Sequence, residues 1–145
     1  MVTVDNEFWL NSLQREHGAF GVRYLVKEIF DEAAPFFALI NYHPVIYKLI
    51  IMKDRQTYLK LGFDETVPNA WWYLGNLTKW KNAQKITEGS RTVLVGFSGH
   101  KWGDTGTLAL AYRDTLCRNQ LREGPTAIVR MDIRDMVWAL VHELT

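Results

Sequence analysis

Hydrophobic and polar residues alternate with two different periods along the first third of the chain. Val2 and Val4 alternate with polar neighbours, which predicts a short opening strand. Residues 22–33 carry apolar side chains at helical spacing, and this predicts an amphipathic helix that ends near Pro35. Residues 45–52 form a nearly continuous β-branched and aliphatic run, which is typical of a strand buried on both faces.

The rest of the chain continues the alternation of helix and strand patterns. A second helix is predicted after Asn69, a residue type that caps helices. Its apolar residues share one side of that helix: Tyr73, Leu74, Leu77 and Trp80. Three strands are predicted next, over residues 92–97, 107–112 and 126–131. Asp132 is placed to cap a final helix, whose apolar residues recur every 3.6 positions as far as Leu144.

The predicted order of elements, β-α-β-α-β-β-β-α, indicates an α/β fold. Strands that alternate with helices imply a mostly parallel sheet with helices packed on its faces. The strand beginning at Thr107 has small alternating side chains and follows a glycine-rich loop, so we expect it at the sheet edge. There it should run antiparallel to its neighbour and border a cleft. Without a repeat or a linker, residues 1–145 are expected to form one domain.

Composition and charge narrow the range of functions. Of the 145 residues, 48% are hydrophobic and the formal net charge is +1, so no basic excess favours a nucleic-acid partner. The longest apolar stretches are too short to span a bilayer. The one cysteine, Cys117, leaves the cellular compartment open.

The clearest chemical signal is the dipeptide His142-Glu143 on the final predicted helix. In the motif H-E-x-x-H, two histidines four residues apart lie on one helix face and bind one zinc ion. The glutamate between them accepts a proton from the zinc-bound water. The chain holds the first two letters of this motif. Three other histidines, at positions 17, 43 and 100, have no partner at metal-ligand spacing.

Over its whole length the sequence resembles the reprolysin zinc metalloproteases, the adamalysin or ADAM-type branch of the metzincins that includes snake-venom and tick enzymes. The opening run from Val2 to Asn6 is similar to the family's first strand. The pair Trp80-Lys81 is similar to one in a family helix. The two most specific similarities are the edge strand around Leu108, followed by Cys117, and the start of the zinc helix at Val141.

The resemblance implies a zincin-like N-terminal subdomain and a role for each matching residue. His142 would be the first of three histidine ligands of zinc, and Glu143 would be the general base in peptide-bond hydrolysis. An extended peptide or protein substrate would pair, backbone to backbone, with four residues: Leu108, Ala109, Leu110 and Ala111. Family members are secreted or displayed on the cell surface, so an extracellular location and a disulfide at Cys117 are expected. The sequence Asn76-Leu77-Thr78 is a glycosylation sequon consistent with that route.

The sequence also departs from the family pattern. Ala109 stands where the family usually has glycine, and Arg113-Asp114 stands where it tends to have small residues. The remaining two histidine ligands would have to follow Thr145, so these 145 residues alone should be an inactive part of the catalytic domain. Two alternatives stay open. One is a non-catalytic binding or structural protein with a degenerate metalloprotease-like fold. The other is an intracellular or virion structural protein in which His142-Glu143 is coincidental.

Overall fold

The computed structural model describes residues 1–5, 18–52, 70–83, 92–99, 109–111, 126–130 and 136–144. These residues form five strands and three helices in the predicted order. The strands are β1 (Val2–Val4), β2 (Leu49–Ile51), β3 (Leu94–Ser98), β4 (Ala109–Ala111) and β5 (Thr126–Arg130). The helices are α1 (Gly18–Ala38), α2 (Ala70–Ala83) and α3 (Met136–Leu144). The predicted caps Asn69 and Asp132 lie outside the described residues.

The five strands form one mixed sheet in the order β2-β1-β3-β5-β4. Four strands are parallel, and β4 pairs antiparallel with β5 at one edge, with Leu110 opposite Ile128. This confirms the α/β fold, the mostly parallel sheet and the antiparallel edge strand. Leu108 lies outside the described residues, so the confirmed part of the edge strand is Ala109–Ala111.

Helices cover both faces of the sheet. On one face, α1 and α3 pack on the side chains of Val4, Phe97 and Val129. On the other face, α2 packs on Leu94 and Ile128. The side predicted for α2 is confirmed, because the four residues predicted to form it are buried: Tyr73, Leu74, Leu77 and Trp80. Alternate residues of each strand thus enter opposite cores, as strand geometry requires.

Gly96, in the central strand β3, lets α2 approach the sheet closely. A Cβ atom at this position would lie 2.6 Å from Leu77 Cδ2 and 3.3 Å from Thr3 Oγ1. The first distance is well inside van der Waals contact, so a larger residue would force the helix or the leucine to move. The side chain of the buried Leu77 occupies the space that a residue larger than glycine would need at position 96.

Two predicted boundaries are wrong. Helix α1 does not end near Pro35 but continues to Ala38. Proline removes one hydrogen bond to the carbonyl of residue 31, yet Pro35 lies on the exposed side where water can satisfy that group. Two residues further on, the fully buried Phe37 anchors the helix to the core, and burial of its ring offsets the lost bond.

The run 45–52 is not a strand buried on both faces. Only Leu49–Ile51 forms β2, which lies at the edge opposite β4, and its residues are half-buried. Val45 is 81% exposed and Tyr47 48% exposed. Pairing with β1 starts only at Lys48, whose carbonyl oxygen accepts a bond from Val2 N at 2.9 Å. The apolar residues before it form a surface loop.

Among the helices that the structure describes, none is both long enough and apolar enough to cross a bilayer.

Candidate functional site

Helix α3 carries the His142-Glu143 dipeptide and lies against the antiparallel edge of the sheet. It contacts β4 and β5 as well as α1. Met136, Leu140 and Leu144 recur every four residues and turn into the core. Val141 is half-buried at the margin of this face. The packing fixes the rotation of α3, and therefore the directions in which residues 142 and 143 project.

His142 is exposed on the outer face of α3. It follows Leu140 by two residues, which places it about 160° around the helix from the core-facing position. Trp138 shares this outer face and is 60% exposed. Its ring contacts the Phe36 ring of α1, with a centroid distance of 4.7 Å. Trp138 therefore leans towards α1, and His142 projects about 40° from Trp138 around the helix.

Glu143 lies beside the core rather than opposite it, and it is half-buried. Burial raises the pKa of its carboxyl group above the ordinary value of 4.5, and the charge of His142 partly opposes the rise. A carboxylate with a raised pKa is a better proton acceptor near neutral pH than an exposed one. His142 and Glu143 are adjacent in the sequence but differ in solvent exposure. The imidazole is exposed to solvent, and the carboxyl group is partly shielded from it.

The edge strand β4 supplies a short length of backbone near α3. Ala109, Leu110 and Ala111 are all half-buried. Among the described strands, β4 pairs only with β5, so none of them occupies its other edge. Ala109 and Ala111 turn towards the same core as α3, whereas Leu110 turns towards α2. Ala109 packs in the core that α3 covers, whereas His142 lies on the exposed outer face of the same helix.

The described residues do not complete a zinc site. Among them, no three His, Cys, Asp or Glu side chains lie close enough together to hold a metal ion. His142 offers one imidazole and Glu143 one carboxylate, whereas catalytic zinc takes three protein ligands and a water. The donor set in these parts of the chain therefore does not fit zinc without further ligands. Cys117, whose disulfide the resemblance implies, lies outside the described residues.

A second polar feature, which the sequence analysis did not single out, follows β1 and β3 at their carboxyl ends. Asp5 is only 1% exposed. Its Oδ2 accepts a bond of 2.9 Å from the hydroxyl of Tyr73, and its Oδ1 accepts one of 3.1 Å from the Gly99 N–H. These bonds join β1, β3 and α2, so the geometry gives Asp5 a structural role. The sequence feature that could have identified Asp5 is an acidic residue placed directly after a buried strand.

The sequon Asn76-Leu77-Thr78 lies inside α2. Thr78 is buried, and its hydroxyl donates a bond of 2.8 Å to the Leu74 carbonyl oxygen one turn earlier. A glycosylation acceptor is normally in an accessible surface loop. The folded helix therefore does not present this sequon for modification.

Comparison with known proteins adds no assignment to this geometry. Neither a scan against models of protein families nor a search of curated proteins finds a match for the chain.

Proposed function

We propose that the chain contributes His142 and Glu143 to a zinc-dependent metalloendopeptidase of the reprolysin type. In this proposal His142 is the first zinc ligand and Glu143 the general base. The observation that supports it best is the contact of α3, which carries both residues, with the antiparallel edge strand β4. Peptide hydrolysis needs a proton acceptor near an extended substrate, and the two elements supply these components side by side.

The substrate of this enzyme would be an extended peptide or protein segment. A peptide strand can add to the edge of a sheet through backbone hydrogen bonds, and Ala109–Ala111 presents such an edge. The small side chains of Ala109 and Ala111 leave room for those of the substrate. The near-neutral charge of the chain agrees with a peptide rather than a nucleic-acid ligand.

Glu143 is the residue for which the proposal makes the strongest chemical demand. Its carboxylate would accept a proton during attack on the peptide carbonyl and return it to the leaving amine. The raised pKa that burial produces supports this role. Zinc would have to be held by His142 with further ligands, because the described residues alone are too few.

The decisive experiment compares the 145-residue chain with forms extended by the protein's own coding sequence. We expect histidines four and ten residues after His142, the spacing of the full motif. The extended form should contain zinc and cleave a peptide library, and the 145-residue chain should do neither. Glu143→Gln in the extended form should abolish cleavage but keep zinc. Glu32→Gln, an exposed glutamate on α1, is the matched control and should change neither property.

Two results would contradict this proposal. Full activity in the 145-residue chain would show that the three-ligand requirement does not apply. An extended form with neither zinc nor activity would favour a second candidate, a non-catalytic protein that uses β4 to bind peptides. The position of His142 on the exposed face of α3, turned from the core that Ala109 joins, agrees with this candidate. It predicts peptide binding that Glu143→Gln leaves unchanged.

The proposed enzyme would act in an extracellular setting, where a disulfide at Cys117 persists. Mass spectrometry of protein purified from the native host, without reducing agent, tests this part. Cys117 should be found in a disulfide within the extended chain. A free Cys117 thiol would favour the intracellular alternative.

A further inference from the structure

A pocket of about 450 Å³ lies at the amino ends of β1 and β3, on the face that α1 and α3 cover. Its floor is formed by Val2 and Val95, and its sides by Phe30 of α1 and Leu144 of α3. The loop that connects α1 to β2 closes it from outside, through residues 41–47. This volume falls within the range of small-molecule sites, about 300–1,000 Å³.

The loop that closes the pocket is fixed at both ends. At its start Asn41 has a φ of 55°, the left-handed conformation that ends helices, and Tyr42 N donates a bond of 3.0 Å to Phe37 O. The Tyr42 ring also packs edge-on against the Phe37 ring, at 5.4 Å between centroids. At its end, Lys48 joins the sheet through the bond from Val2 N. A pocket wall held in this way needs little ordering when a ligand binds.

The chemistry of the lining selects an uncharged ligand. None of the lining residues that the structure describes is Asp, Glu, Lys or Arg. Three aromatic rings contribute to the walls, those of Phe30, Tyr42 and Tyr47. Uncharged polar side chains also line it, namely Asn41, His43 and Thr92 and the hydroxyl groups of the two tyrosines. Burial, with a smaller effect from the charge of Lys81, lowers the pKa of the Met1 amino group to about 6, so this group is mostly uncharged at pH 8.

We propose that this pocket binds a small, uncharged aromatic molecule that carries one or two hydrogen-bonding groups. The aromatic walls can pack against a flat ring edge-on or offset-stacked, a contribution beyond area burial that an alkyl chain does not receive. A charged ligand would lose its hydration without meeting an opposite charge. The site is separate from His142 and Glu143 and does not depend on zinc.

The test is a titration of the ¹⁵N-labelled 145-residue chain at pH 8, followed by NMR. Three probes are compared: indole, hexan-1-ol and indole-3-acetate. Indole should shift the amide signals of Val2, Val93 and Tyr47 and bind with a Kd below about 1 mM. Hexan-1-ol and indole-3-acetate should each bind at least about tenfold more weakly.

Substitutions inside and outside the pocket locate the binding. Ile46→Trp places a large ring in the lining and should weaken indole binding at least about tenfold. Leu39→Trp adds the same ring at a position that is 84% exposed and outside the lining, so it should leave the affinity unchanged. His43→Trp, at the exposed loop, is a second blocking variant should Ile46→Trp not fold. The proposal is overturned if indole fails to shift these signals, if all probes bind equally, or if the blocking variants bind like Leu39→Trp.

Discussion

The hydroxyl of Tyr73, on α2, donates a hydrogen bond of 2.9 Å to the buried carboxylate of Asp5, directly after β1. The two residues are 68 positions apart in the sequence. Both are 1% exposed, so no water replaces either partner without a rearrangement. The bond connects the helix on one face of the sheet to the carboxyl end of a strand in its interior.

Tyr73→Phe should therefore destabilise the fold, because it removes a donor from a buried carboxylate and leaves the shape unchanged. We expect a loss of about 1–3 kcal/mol in the free energy of unfolding. Urea denaturation followed by circular dichroism measures it. Tyr24→Phe, at a position that is 59% exposed, is the matched control and should change stability by less than about 0.5 kcal/mol. Equal stability of the two variants would refute the structural role of the bond.

A second prediction concerns the contact between Gly96 and Leu77. Gly96→Ala should destabilise the protein by about 1–3 kcal/mol, since the new methyl group overlaps Leu77 Cδ2. The cost should fall close to zero when Leu77 is already alanine, because the overlapping atom is then gone. Unfolding free energies of the two single variants and the double variant test this coupling. Additive effects would mean that the helix does not press on the strand at this point.

The sequence predicted the order and type of the described elements because each repeats its own hydrophobic period. The buried side of α2 was predicted correctly because Tyr73 and Leu77, four residues apart, share one face of a helix. The extent of β2 was wrong because an apolar run does not tell a buried strand from an apolar loop beside one. Helix α1 was predicted too short because the effect of Pro35 depends on the burial of Phe37, a tertiary property.

For the candidate site, too, the local features could be predicted from the sequence and the non-local ones could not. The His142-Glu143 dipeptide is local, and the sequence predicted both its helix and the neighbouring edge strand. The pocket could not be predicted, because residues 41–47 meet Val95 and Leu144 only in the fold. His43, which has no partner at metal-ligand spacing, joins the proposed pocket only through this non-local arrangement.

The contact between Phe36 and Trp138 should contribute directly to the docking of α1 on α3. Their ring centroids are 4.7 Å apart with an angle of 50° between the planes. A double-mutant cycle with Phe36→Ala and Trp138→Ala should give a coupling free energy of about 0.5 kcal/mol, the low end for aromatic pairs because both rings are partly exposed. The pair Phe20→Ala and Trp138→Ala is the control. Phe20 has no ring contact with Trp138 among those found in the described residues, so these two effects should add.

Glu143 should make the protein less stable as the pH rises. Because burial raises the pKa of its carboxyl group in the folded state, the folded protein holds the proton more tightly than the unfolded chain does. Its contribution to stability is therefore greatest below the ordinary value of 4.5 and falls as the pH passes through the raised pKa. Glu143→Gln should remove this dependence. Thermal unfolding of both proteins between pH 4 and 7 should show the wild type losing Tm relative to the variant as the pH rises. Parallel Tm curves would contradict the prediction.

Zinc binding by the 145-residue chain should be weak and should depend on His142. One imidazole and one nearby carboxylate provide fewer than the three ligands that hold catalytic zinc, and the described residues offer no other cluster of donors. Isothermal titration calorimetry at pH 7.5 should show binding that is lost on gel filtration and absent in His142→Ala. His43→Ala, which removes an exposed histidine far along the chain from α3, should bind like the wild type. Tight stoichiometric binding that survives His142→Ala would place the zinc ligands elsewhere in the chain and would remove His142 from the proposed site.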